Sequence, residues 1–179
     1  MDRRWVDILL AVTLAAMLVK SPPGLCVESS GFIQENISTA KIAASEGRYI
    51  VDISMLATDV EQMFLKTGSE RAGVDLDRPG ALENEIGMLI ASRVTMRDGA
   101  GRDCARKVEK AGEDPSNDEG VLVELSFDCA SADASYDASK LLATQSSRAW
   151  QVVTITRGGA RRQVMVNGDS PPVPMAEAQ

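Results

Sequence analysis

Apolar and polar residues alternate in a strand-like pattern from Ile37 onward, and Ser45-Glu46-Gly47 interrupts it with turn residues. Arg48–Leu56 then places Tyr49, Val51, Ile53 and Met55 on one face at period two, as a half-buried strand requires. There the period changes. Thr58 and Glu61 have the spacing of a helix capping box, Val60, Met63 and Phe64 form a helical stripe, and Gly68 sits where a helix-ending glycine belongs. Residues 69–78 read as a polar loop. Pro79 fits the first turn of a second helix with Leu82, Ile86, Leu89 and Ile90 on one face, and near Val94 this helix gives way to strand.

The remainder is strand-rich. Asp98-Gly99 is a hairpin signal, and residues 111–120 (AGEDPSNDEG) read as a solvated loop. Val121, Val123, Leu125 and Phe127 alternate with Leu122, Glu124, Ser126 and Asp128 up to Cys129. Residues 150–156 and 161–166 flank Gly158-Gly159, a second hairpin signal, with Trp150 read as a core residue. Residues 169–179 read as a disordered tail. Seven or eight short strands with two helices inserted early predict a mainly β (α+β) fold. The architecture expected is an antiparallel β-sandwich with a two-helix insertion over residues 30–168.

Residues 1–29 follow a different rule. Arg3 and Arg4 precede the apolar run 8–19 (ILLAVTLAAMLV), Lys20 closes it, and Ser21-Pro22-Pro23-Gly24 breaks any helix. This is the pattern of a secretory signal peptide, with small residues allowing cleavage before Val27 or Ser30. The alternative is an uncleaved signal anchor, although Asp7 interrupts the stretch and a span needs about 20 apolar residues. The chain is therefore expected to be exported, periplasmic or extracellular, or else tethered to the membrane by the uncut segment. Cysteine usage agrees. Of the three cysteines, Cys26 lies before both cuts, leaving Cys104 and Cys129 as a pair expected to form a disulfide, with two buried thiols as the alternative.

Composition narrows the function. Among 179 residues, 19 Lys and Arg face 26 Asp and Glu, and a net charge of -7 argues against a nucleic-acid partner. There is no histidine, which removes Ser-His and Cys-His nucleophile pairs and histidine-based zinc sites. No P-loop, G-x-G-x-x-G, G-x-S-x-G or H-E-x-x-H motif is present. Ser139 and Ser146 near Lys140, or Glu83 and Glu85, leave only an unspecific opening for a hydrolase.

Two sites stand out. Asp75-Leu76-Asp77-Arg78-Pro79-Gly80 has the oxygen donors and turn glycine of a calcium loop, making calcium the one cofactor suggested. Against it, Pro79 occupies the fifth position and Ile86 the twelfth, and Asp75 and Asp77 also suit an ordinary helix start. Arg157, Arg161 and Arg162 around Gly158-Gly159 form the basic cluster of the chain beyond residue 29. They suit contact with an acidic partner or a membrane surface, or protection of an edge strand.

The order of these features resembles the extracytoplasmic N-terminal region of HupE/UreJ-like bacterial membrane proteins. The resemblance runs over residues 31–168. It rests on the alternating hairpin, the helix near Thr58, the Asp75-Leu76-Asp77 loop, and Cys104 after a D-G turn. It continues through D-E-G-V-L-V-E-L-S-F-D-C ending at Cys129, and Tyr136…Leu141-Leu142 before the final hairpin. It implies a β-rich domain outside the membrane, joined to a C-terminal transmembrane bundle in a family linked with nickel or cobalt uptake. The histidine motifs of that family lie in the bundle. Gln145-Ser146-Ser147-Arg148 lacks the histidine the family often has there, and Gln179 ends the chain without the bundle, so metal transport does not carry over. A free-standing relative, a part of a split system or a truncated product is implied. The function expected is a non-catalytic extracytoplasmic domain that associates with or assists a membrane protein, with a metal-transport-type partner suggested by the resemblance. The alternatives are a periplasmic solute- or calcium-binding protein, of unspecified small-molecule ligand, and a hydrolase.

Overall fold

The structure, a computed structural model, describes residues 36–45, 47–67 and 80–176. It opens with a hairpin of β1 (Ile37–Ser45) and β2 (Arg48–Leu56), in register from Thr39↔Ser54 to Ser45↔Arg48. Gly47 in the turn has φ 86°, a left-handed conformation that strains any residue with a Cβ. A Cβ there would also stand 2.9 Å from the carbonyl oxygen of Cys129. The helices α1 (Ala57–Thr67) and α2 (Ala81–Arg93) follow. Then come β3 (Thr95–Asp98), β4 (Ala105–Asp114), β5 (Asn117–Asp128), β6 (Ala134–Asp137) and α3 (Ser139–Gln145). The chain continues through β7 (Trp150–Arg157), β8 (Ala160–Asn167) and β9 (Val173–Pro174).

The fold is mainly β, with three helices among the described residues. Six strands form one sheet in the order β4-β5-β2-β1-β7-β8, and a three-stranded sheet has the order β3-β6-β9. The large sheet is mixed, not purely antiparallel, because β7 lies parallel to β1 from Ile37↔Trp150 to Ala44↔Arg157. The chain leaves β5 on one side of the central hairpin and returns through β6 and α3 on the other, so β7 arrives running in the direction of β1.

One face of the large sheet is buried. Tyr49, Val51, Ile53 and Met55 on β2, with Val123, Leu125 and Phe127 on β5, realise the alternation visible in the sequence. They share a core with Val60 and Met63 of α1, Leu89 and Ile90 of α2, Leu141 and Leu142 of α3, and Tyr136 of the small sheet. α2 approaches β4 closely at Gly87, where a Cβ would meet Val108 at 2.8 Å and Ala111 at 3.3 Å.

Buried polar groups stitch the layers together. The Tyr136 hydroxyl donates to Gln151 Oε1 (3.0 Å), and Gln151 Nε2 donates to Ser38 Oγ (3.3 Å), tying β6 to β7 and β1. Burial pushes the Tyr136 phenol well up, and the bond to Gln151 works against that rise. Gln145 Nε2 donates to Asp59 (2.7 Å). Lys66 Nζ donates to the carbonyls of Thr144 (3.0 Å) and Gln145 (2.6 Å), a cation at the C-terminus of α3 where the helix dipole favours it.

Several expectations are corrected. Thr58 lies inside α1, which starts one residue earlier at Ala57. Leu82 is 51% exposed while Ala81 takes the buried position of that first turn. The residues read as a loop at 111–120 are the ends of β4 and β5. Between them, Asp114 organises a tight turn by accepting from Ser116 N (2.8 Å) and Oγ (2.6 Å), and from Ser54 Oγ. Burial raises the Asp114 carboxyl, but the bonds from Ser116 and Ser54 outweigh it and leave the group below its ordinary value. The tail is ordered in part, because Val173 pairs with Tyr136 and Met175 is buried. Residues 1–29, Gly68, Asp75, Asp77 and Pro79 lie outside the described residues. No helix among the described residues is long and apolar enough to cross a membrane.

Candidate functional site

Gly158 and Gly159, with φ of 56° and 87°, make the two-residue turn that Arg157↔Ala160 closes, and the pairing runs without a register shift to Trp150↔Asn167. In such a hairpin the flanking residues form a hydrogen-bonded pair and ladder bonds recur at every second residue. The backbone groups of residues 160, 162, 164 and 166 therefore face β7. Those of Arg161, Gln163, Met165 and Asn167 face away from the sheet. Asn167 confirms this phase, since its N–H donates to Ser170 Oγ (2.9 Å) and its carbonyl accepts from Ser170 N (3.1 Å). Beyond Asn167, the outward groups of Arg161, Gln163 and Met165 meet no described strand. β8 is an open edge.

The pleat sends the three arginines to different faces. Arg161 shares the outer face with Gln163 and Met165, the latter 58% exposed. Arg162 lies on the opposite face with Val164 and Val166, and its guanidinium donates to the Pro174 carbonyl, so it holds the end of β9. Arg157, on that same face, sits by Tyr49, whose phenol is pushed up by burial while the arginine charge works against the rise. The Tyr49 hydroxyl donates to Ala132 O at 2.6 Å. Of the cluster expected from sequence, Arg157 and Arg162 thus have structural neighbours, and Arg161 has no partner among the described residues.

The outer face changes character toward this edge. A row in register runs Lys110, Glu124, Asp52, Lys41, Thr154, Gln163 from β4 to β8, so charge ends at β1. Val152 and Met165 form the neighbouring pair, beside Trp150, which is 39% exposed on this face and is not a core residue. At the other edge, β4 carries Arg106, Lys107, Glu109, Lys110 and Glu113 and has register shifts at Val108/Lys110 and Glu113/Asp114. Bulges and mixed charge are what protects an edge from further pairing. β8 lacks both a bulge and an acid. The whole of residues 150–167 carries three arginines and no acid, in a chain of net charge -7.

The other candidates fall elsewhere. Cys104 and Cys129 are joined, with Cα atoms 4.6 Å apart, one step beyond the Ala105↔Asp128 pair of the β4–β5 ladder. A bonded cysteine pair is what an oxidising, exported environment sustains. A cleft of about 200 Å³ beside it is lined by Thr95, Met96, Asp103, Cys104, Arg106 and Phe127. Its cation Arg106 donates to Val94 O (2.8 Å), and Asp103 pairs with Arg97 at 3.1 Å. Ser139 opens α3, Ser146 follows its end and Lys140 is exposed, with no described hydrogen bond from the lysine to either hydroxyl. Gln163 and Met165 escaped the sequence reading because a charged neighbour drew attention. The signal lay in two uncharged outward positions on the last long strand.

No protein-family model matches the chain, and no curated protein matches it.

Proposed function

We propose that this chain is a non-catalytic, exported docking module that assists a membrane protein by accepting one of its extended segments along β8. The observation that supports this reading is the regular edge of β8, uncovered among the described residues, set against the bulged and charged edge of β4. Strand addition supplies main-chain hydrogen bonds and lets alternate side chains carry specificity. In this reading the two sheets are the leaves of a sandwich with a helical insertion, the chain acts in the periplasm, and the disulfide braces it there. The resemblance to the outer domain of HupE/UreJ-like proteins favours a partner of transport type.

The test is a tagged pull-down from detergent-solubilised native membranes, comparing the wild type with Gln163→Pro. Proline at this position removes an outward N–H and leaves the β7 ladder intact. A polytopic membrane protein recovered by the wild type and lost by the variant, at unchanged melting temperature, is the expected result. The same protein recovered equally by both, or nothing above the untagged control, overturns the proposal.

A further inference from the structure

Resting on that reading, we infer that the segment β8 accepts is an antiparallel strand with an apolar residue followed, four positions later, by a carboxylate. For an antiparallel partner, the edge sets this order. Arg161, Gln163 and Met165 each offer an N–H and a C=O outward, so each forms a hydrogen-bonded pair with one partner residue whose side chain shares the outer face. An antiparallel partner meets Met165 first, then Gln163, then Arg161.

The residue opposite Met165 lies over an uncharged surface that includes Val152 and Trp150. An apolar side chain is favoured there. The residue opposite Gln163 lies beside an amide and, one strand further in, Thr154, which suits a polar uncharged side chain. The residue opposite Arg161 faces a cation whose cross-strand neighbour is Thr156, with no acid on β7 or β8 to neutralise it. A carboxylate completes that pair. Arg162 and Arg157 strengthen the positive potential at this end without being released from their own neighbours. A second copy of β8 lacks the acid and is the poorer occupant.

The probe is a capped synthetic peptide carrying Ile, Thr and Glu in that order at alternate positions with Val between them. Its twin has Lys for Glu. Titration calorimetry of the purified protein is expected to show the Glu peptide binding roughly five- to tenfold more tightly than the Lys peptide. Arg161→Glu is expected to reverse that preference, and Gln163→Pro to abolish binding of both. Equal binding of the two peptides overturns the proposed pattern. So does binding of neither peptide while membrane pull-down still depends on Gln163, a result that leaves the docking edge standing. Arg161-dependent sedimentation with phosphatidylglycerol vesicles, without peptide binding, also overturns it and makes the basic end a lipid contact.

Discussion

Asp98 shows how one side chain can hold a whole connection. Its carboxylate is 3% exposed and accepts from Ala100 N (3.0 Å), Arg102 N (3.0 Å), Arg102 Nε (2.9 Å) and Nη2 (2.7 Å). The Arg102 side chain leads in holding this carboxyl below its ordinary value. A depressed native value means the unfolded chain takes up the proton first. The stability this group provides is therefore complete above about pH 4 and is lost as pH falls through the native value. Asp98→Asn is expected to lower the melting temperature at pH 7 and to flatten its fall toward acid; parallel curves for the two proteins would remove Asp98 from the explanation. Gly47 offers a sharper contrast. Gly47→Ala combines a φ of 86° with a contact to the Cys129 carbonyl and is expected to cost about 2 kcal/mol in urea denaturation. Gly158→Ala, with φ 56° and open space around it, should cost about 1 kcal/mol. Equal losses would mean that the close approach contributes nothing.

Among the elements, the β4–β5 hairpin is clamped at both ends, by the Asp114 turn and by the disulfide. The bridge spans 25 residues of sequence, and loop-entropy reasoning assigns it about 3 kcal/mol. Cys104→Ser with Cys129→Ser should lower the urea stability by that order, and reductant should then have no further effect. A wild type indifferent to reductant under unfolding conditions would contradict this. The hairpins at Gly47 and Gly158-Gly159 were legible because a left-handed turn demands glycine and leaves a local mark. β2 and β5 were legible because one buried face imposes strict alternation. α3 was missed since seven residues with only Leu141, Leu142 and Gln145 buried make too short a stripe to read. β9 was hidden because Val173 and Pro174, just after Pro171-Pro172, owe their place to Tyr136 and Ala134, which are distant in sequence. Leu82 and Trp150 misled for the same reason: apolar character does not say which face of an element is covered. The arginines at the candidate edge were visible, but strand order was not. Whether β8 ends a sheet depends on pairings that no local pattern contains.

At the scale of the whole molecule, β1 joins two halves of the chain. Its first neighbour β2 follows after a two-residue turn, whereas its second, β7, begins at Trp150 opposite Ile37. The Gln151–Ser38 hydrogen bond spans 113 positions of sequence. Distant pairing of this kind slows folding, because the intervening loop must be ordered before the contact stabilises anything. A chain truncated after residue 149 is expected to lack cooperative thermal unfolding by circular dichroism. A sharp transition in that truncation would show that β1 to β6 form an independent unit.

The parallel seam between β1 and β7 also decides which strand forms the border of the described sheet on this side. Without the β7–β8 hairpin, the border of the described sheet would be β1, with a different row of side chains. Once β7 has paired, that border is covered and β8 replaces it. Under the proposed docking at β8, a partner that selects this border would accept completed molecules and pass over unfinished ones, so recognition would double as a check on folding.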